Sequence, residues 1–168
     1  MKAHVPTKIR AATEADLPAI NAIYNYYVPR SACTFDLEPK APEWRAAWYR
    51  ERVAAGHPVL VADRGDAVAG WACLSAWSPK PAYRTTADES IYIDERFHGQ
   101  GVGRALVSAL LAEAAARDIE VMMAVVVACQ AASLGLHRSM GFRDVGLFPH
   151  MGFKLGEWHD IVYLQRQI

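Results

Sequence analysis

The sequence predicts a single α+β domain, residues 1–168, with a central, mostly antiparallel sheet. Three observations predict it. Apolar residues fill 52% of the 168 positions and charged residues 21%, a balance that builds one buried core and is the opposite of a disordered chain. Short β-type runs are interspersed with stretches of helical spacing in a mixed order. No internal repeat, low-complexity tract or interdomain linker divides the chain.

The elements follow in order. Ile9, Arg10 and Ala11 make a short opening strand. Thr13-Glu14-Ala15-Asp16 has the form of a capping box, with Asp in the usual Glu position. Leu17, Ile20, Ile23, Tyr24 and Tyr27 then recur at helical spacing until Pro29 stops the helix. Pro42 opens a second helix, with Trp44, Trp48 and Val53 on one face, and Gly56 closes it before the exit at His57-Pro58. Residues 59–62 and 68–74 are strands joined by the hairpin turn Asp63-Arg64-Gly65-Asp66. A polar, proline-bearing loop is expected over 78–87 and a strand over 90–93. The Gly-rich turn 98–103 leads into a helix over 101–117, striped by Leu106, Val107, Leu110, Leu111 and Ala114. Residues 120–127 form a buried strand that places Met122 and Met123 in the core. A helix over 131–140 ends at Gly141, and strands over 142–147 and 160–164 complete the sheet.

Several function classes are excluded. The formal net charge of +0 provides no field to attract nucleic acid or an anionic membrane. The longest apolar run, 121–129, is far short of the ~18 residues of a membrane span. The opening residues, Met1 to Pro6, lack the apolar centre of a signal peptide. Cys33, Cys73 and Cys129 are scattered and odd in number, which points to three reduced thiols in a cytoplasmic protein. His150, His159 and Asp160 lack the spacing of a metal site, so no metal is expected.

The strongest chemical signal is strand, Gly-rich turn, helix, running from Ile91 to Arg104. Glycines at alternate positions admit a ligand close to the backbone, and the helix start directs free N–H groups at the same place. Arg104, in the first helical turn, has the wrong sign for the helix dipole and the right sign for phosphate. A plain structural turn is the competing reading. The Gly-Lys-Ser/Thr of a P-loop and the third glycine of a dinucleotide fingerprint are both absent.

His98-Gly99-Gln100-Gly101-Val102-Gly103 resembles the acyl-CoA motif of the GNAT acetyltransferase superfamily, Arg/Gln-x-x-Gly-x-Gly/Ala, with His98 in the first place. Further segments extend the likeness in order and spacing from about Ile9 to Gln165. They are Thr34-Phe35, Trp44, Ala82-Tyr83-Arg84, Ser90 to Ile93, Ala132 to His137, Gly141-Phe142 and Gly152 to Trp158. Together they resemble one subgroup, the phosphinothricin and methionine sulfone/sulfoximine N-acetyltransferases.

The resemblance implies a three-layer α/β/α fold whose sheet splays open between two parallel strands, here 90–93 and 121–127. Acetyl-CoA would lie in that opening. Backbone groups of Ile91, Tyr92 and Ile93 would accompany the pantetheine arm, and N–H groups from His98, Gly99, Gln100, Gly101, Val102, Gly103 and Arg104 would hold the diphosphate. Gln130 stands where the family has Asn, with Ser133 nearby on the same side of the coenzyme. Asp88 falls at the position of the subgroup's proposed base, usually Glu, and Glu89 is the alternative. His137 falls where the wider superfamily has a Tyr proposed to protonate the departing thiolate; imidazole titrates in the right range for that task. For a zwitterionic amino-acid acceptor, Lys80, Arg84 and Lys154 are the candidate cations, Arg84 foremost, and Tyr27, Phe35, Trp77 and Tyr83 the candidate walls.

The expected activity is direct acetyl transfer to the α-amine of a small amino acid or toxic analogue, in a ternary complex. Acetylation of a protein N-terminus or a polyamine, or a CoA-binding module without catalysis, are the other readings. The subgroup also implies a homodimer.

Overall fold

A computed structural model describes residues 6–168; the leader reading of the first residues rests mostly on positions 1–5, outside that range. Seven strands form one sheet in the order β1-β2-β3-β4-β5-β7-β6. They are β1 (Lys8–Ala11), β2 (Val59–Asp63), β3 (Val68–Ala76), β4 (Thr86–Ile93), β5 (Val121–Val127), β6 (Arg143–Lys154) and β7 (Glu157–Gln167). Every neighbouring pair is antiparallel except β4 and β5. Helices α1 (Leu17–Tyr27) and α2 (Pro42–Ala54) pack over β2–β4 on one face. On the other face α3 (Val102–Ala115) packs over β1–β4 and α4 (Ala131–Ser139) over β5. The three layers and the mostly antiparallel sheet match the class expected.

Side-chain alternation along β4 divides the core. Ala87, Ile91 and Ile93 join Leu106, Leu110 and Met122 beneath α3. Tyr92 faces the other way, into the cluster of Trp71, Cys73, Ile20, Ile23 and Trp48 beneath α1 and α2. The start of α1 is tied as expected: the Thr13 N–H and hydroxyl both donate to Asp16 Oδ2, at 2.8 and 3.1 Å.

Three expectations need correction. The loop placed over 78–87 ends sooner, because β4 starts at Thr86 and not at 90. Ala87 and Asp88 pair with β3 on one side and β5 on the other, and Thr86 with β5, and this pairing makes a strand of the segment. Strands β6 and β7 are also longer than expected. Pro149 sits on an edge strand, inside a bulge where His150 has φ 52 and its N–H donates to Asp160 Oδ1 at 2.9 Å. Leu155 (φ 54) and Gly156 (φ 82) then close a two-residue hairpin between Lys154 and Glu157. Finally, the inner face of α2 carries Arg45 and Trp48, while Trp44 and Val53 are 45% and 52% exposed. The Arg45 guanidinium lies 4.6 Å from the Trp48 ring and 4.8 Å from that of Tyr24, and this aromatic packing is what draws a cation inward.

Candidate active site

The parallel pair is short. Its rungs are Thr86–Val121, Ala87–Met122 and Asp88–Met123, and beyond them β4 and β5 diverge. From Ser90 to Ile93 the β5-facing edge of β4 has no strand partner. The splay therefore opens at Asp88 and Glu89, which lie inside the strand and not before it.

Because successive residues alternate, the two carboxylates face opposite sides at the apex of the opening. Glu89 faces α4. Its Oε1 lies 2.9 Å from His137 Nε2, with the two side chains 5% and 1% exposed. The other imidazole nitrogen, Nδ1, lies 2.7 Å from the Ser133 carbonyl, and a carbonyl only accepts, so Nδ1 carries a proton. The Nε2–Oε1 contact then holds a second proton, shared by the pair. Burial works against a charged His137, but the Glu89 carboxylate outweighs it and raises the imidazole above its ordinary range. Glu89 Oε2 is buried with no hydrogen-bond partner among the described residues.

Asp88 faces the side of α1 and α2, like Ser90 and Tyr92. Its Oδ1 is buried and also without a partner. Burial, reinforced by the neighbouring Glu89 charge, pushes its carboxyl up to about 7. Two carboxylates at the start of a strand default to the surface; here the tertiary structure closes over both.

A cavity of about 90 Å³ occupies the splay, lined in part by Cys33, Glu89, Tyr92, Gln130, Ser133 and His137. Cys33, and not the exposed Cys129, is the thiol at this site. The segment carrying Cys33 is fastened at several points. Gln130 Nε2 donates to Ser31 Oγ at 3.2 Å, and Lys154 Nζ donates to the Thr34 carbonyl at 2.5 Å. Tyr24 bonds the Thr34 hydroxyl at 2.7 Å, and the Phe35 ring lies over Gly152, which has no side chain to obstruct it. A larger cavity of about 600 Å³ lies between α1, the β2–β3 turn and the end of β4. Of its five carboxylates, Asp16, Asp63 and Asp94 are paired with Arg10 and Arg96, and Glu95 accepts from the Tyr26 hydroxyl, which leaves Asp66 without an ion-pair partner among the described residues.

At the end of β4 the chain enters the Gly-rich turn. Gly99 (φ 70) and Gly101 (φ 79) both take the left-handed conformation. The first helical bond of α3 runs from Ala105 N–H to the Gly101 carbonyl. The backbone N–H groups of Gly99 through Arg104 make no well-formed hydrogen bond among the described residues, and they run into a helix start. The His98 N–H is not among them, since it donates to the Glu95 carbonyl at 3.3 Å. The His98 imidazole instead bonds the Tyr27 hydroxyl at 2.9 Å, and that hydroxyl donates to the Ile93 carbonyl. Tyr27 thus braces the turn. Gly103 permits close packing of α3, because a Cβ there would lie 2.8 Å from Leu136 and 3.0 Å from Ile93.

Of the residues proposed to hold an acceptor, Lys80, Tyr83 and Arg84 lie on or beside an exposed 3-10 turn just before β4. They do not line the splay cavity. Trp77 packs edge-on against Tyr163, with centroids 6.0 Å apart, and Phe35 is 39% exposed. Lys154 is buried and turned onto the Thr34 carbonyl. His159, considered for a metal, is buried with Nε2 2.9 Å from the Lys154 carbonyl.

A row of N–H donors at a helix start, an unpaired strand edge and two carboxylates at the apex lie along one opening of the sheet. The chain belongs to the acetyltransferase (GNAT) family, whose model matches residues 20–142. It is 39% identical to the L-methionine sulfoximine/L-methionine sulfone acetyltransferase of Pseudomonas aeruginosa, over 94% of this chain and 92% of that protein. It is 37% identical to the phosphinothricin N-acetyltransferase of Alcaligenes faecalis, over 95% of this chain and 82% of that one. The crystal structure of a phosphinothricin acetyltransferase from Sinorhizobium meliloti in complex with acetyl-CoA superposes with a TM-score of 0.93 at 34% identity. That match covers 96% of this chain and 88% of the other.

Proposed function

We propose that this chain, acting as one domain, acetylates the α-amine of a small amino acid or analogue of the methionine sulfoximine, methionine sulfone or phosphinothricin type. Acetyl-CoA is the donor. One observation carries the reading: Asp88, half-buried with a buried, unpartnered Oδ1 and pushed up to about 7, stands at the apex of a splay whose far end leads to the N–H groups of Gly99 to Arg104.

The coenzyme supplies an activated acetyl thioester. Asp88 receives a proton from the acceptor's ammonium group, which attacks only when neutral; a base near neutrality is matched to that task. The Glu89–His137 pair supplies the proton that the departing sulfur takes up. Its shared proton and the unpartnered Glu89 Oε2 at the cavity support this role. The acyl carbon gains a bond to nitrogen and loses its bond to sulfur; the nitrogen loses two protons in all, the first to Asp88 before attack and the second on amide formation, and the second restores the proton that the Glu89–His137 pair gives to the thiolate. Arg84, exposed and four residues ahead of Asp88, is our choice for the acceptor's carboxylate, with Lys80 beside it. A second copy of the chain covers the apolar outer hairpin, where Leu147, Phe153 and Trp158 are 63%, 57% and 57% exposed. Among the described residues no helix is long and apolar enough to cross a membrane. The free cysteines suit a reducing, cytoplasmic setting.

The test is thiol release from acetyl-CoA with a panel of amines. Turnover with methionine sulfoximine or phosphinothricin is expected. Turnover confined to spermidine or to peptide N-termini would move the assignment to another acceptor class. Tight CoA binding without turnover on any amine would leave a binding module.

A further inference from the structure

Arg64, like Arg45, is a buried cation outside the splay with no ion-pair partner among the described residues. Arg64, in the β2–β3 turn, is 8% exposed and takes part in no ion pair there. Its Nη1 donates to Gln100 Oε1 at 2.7 Å and its Nε to Thr7 Oγ1 at 2.9 Å. The guanidinium lies 5.2 Å from the centroid of the Phe97 ring. The β2–β3 turn does not need this side chain. It is closed by the Arg64 N–H on the Ala67 carbonyl at 2.9 Å and by the Gly65 N–H on Asp63 Oδ1 at 2.7 Å. Burying a guanidinium is unfavourable unless its donors are used, and Arg64 divides its hydrogen bonds between Thr7 and Gln100 of the Gly-rich turn.

Gln100 is the point of attachment. It stands between Gly99 and Gly101, both left-handed and both with open space where a side chain would be. Its Nε2 donates to the Arg96 carbonyl at 2.9 Å while its Oε1 accepts from Arg64. The amide therefore spans from the start of the turn to a hairpin 36 residues earlier in the chain. Flanking glycines make this segment the most permissive stretch of backbone at the site, and this side-chain bridge is what restrains it.

We propose that Arg64 is a positioning residue for the coenzyme's diphosphate: through Gln100 it holds the N–H groups of residues 99–104 in a converged arrangement. It touches neither the reacting atoms nor the phosphates. A donor row held in place before binding gives up less conformational freedom when the ligand arrives, so the benefit falls on diphosphate affinity and not on the chemical step. The inference rests on the acetyl-CoA reading above.

The experiment measures calorimetric affinity for CoA, together with kinetics on acetyl-CoA and on S-acetylpantetheine, which lacks the diphosphate. Arg64→Ala is expected to weaken CoA binding fivefold to twentyfold and to raise KM for acetyl-CoA by a similar factor. The value of kcat should stay within about twofold, and turnover of S-acetylpantetheine should be unchanged. Gln100→Ala, at an exposed side chain that any fold should tolerate, should reproduce the loss, and the double variant should be no weaker than either single one. Arg64→Lys, which keeps the charge and loses the fork, should recover only part of the affinity. Wild-type CoA affinity in Gln100→Ala, or an equal fractional loss on S-acetylpantetheine in either variant, would overturn the proposal. Absence of CoA binding by the wild-type protein would overturn the acetyl-CoA reading instead.

Discussion

At Asp88 the same burial governs both reactivity and stability. A carboxyl pushed up to about 7 is half ionised near neutrality, so the rate should rise with pH through that value. Asp88→Asn should lower kcat about 100-fold and flatten the rise, with CoA affinity kept; a pH profile identical to wild type would remove Asp88 as the base. The linkage has a definite sign. The folded value lies above the ordinary carboxyl value of 3.8, so Asp88 favours folding fully below pH 3.8 and loses that contribution as pH rises through 7. Asp88→Asn should therefore gain on wild type between pH 5 and pH 8, by roughly 2–3 kcal/mol in denaturant unfolding. Glu89 acts on its partner in the opposite direction. Its carboxylate keeps His137 protonated, so Glu89→Gln should move the descending limb of the kcat profile to lower pH, readable also by histidine NMR.

Among the elements, the segment 31–36 and the β6–β7 hairpin depend on one another. The hairpin offers Lys154 to the Thr34 carbonyl and a bare Gly152 beneath Phe35. A Cβ on Gly152 would meet Phe35 at 2.5 Å. Gly152→Ala should therefore tilt the ring and shift the segment that carries Cys33, raising KM for the acceptor severalfold while CoA affinity holds. A similar rise in both constants would show instead that the site distorts as a whole. Helix α2 is held differently. Arg45 is 1% exposed, and its guanidinium faces Tyr24, Trp44, Trp48 and Trp71, with Nε donating to Asn21 Oδ1 at 3.1 Å. Burial lowers its affinity for the proton to about 10. Arg45→Lys keeps a charge but loses the flat face that stacks, and should lower stability by about 1–3 kcal/mol in thermal unfolding.

Across the whole molecule, the sheet is continuous except where β4 and β5 part, and that gap is the site. The outer edge tells a second story. Strand β6 is exposed along most of its length and carries Val145, Leu147, Phe148, Met151 and Phe153. An edge of this kind invites a partner. Sedimentation should show a dimer of the 18.6 kDa chain at micromolar concentration, and Leu147→Lys with Trp158→Lys should give monomers. A wild-type monomer at that concentration would remove the second copy from the proposal.

Much of this was legible in the order of residues. Local chemistry marks its own place: Pro29 and Gly141 end helices, Gly99 and Gly101 make the turn, and the run ending at Cys129 reads as a buried strand. The turn was therefore within reach of local chemistry, whereas the splay, Asp88 and His137 were implied by the family resemblance. Other features were not, because they depend on pairing between distant segments. Residues 86–89 become a strand only by pairing with β3 and β5. Glu89 finds His137 48 residues away, and Arg64 reads as a turn residue until Gln100 packs against it. The sequence by itself determined the class of fold and the Gly-rich turn, since these rest on propensity and residue type, while Asp88, Glu89 and His137 were candidates that the family resemblance implied. Only the tertiary structure decided which carboxylate faces which side, which side chains are buried and how the turn is restrained. Burial, charge coupling and long-range hydrogen bonds come into being only when the segments meet.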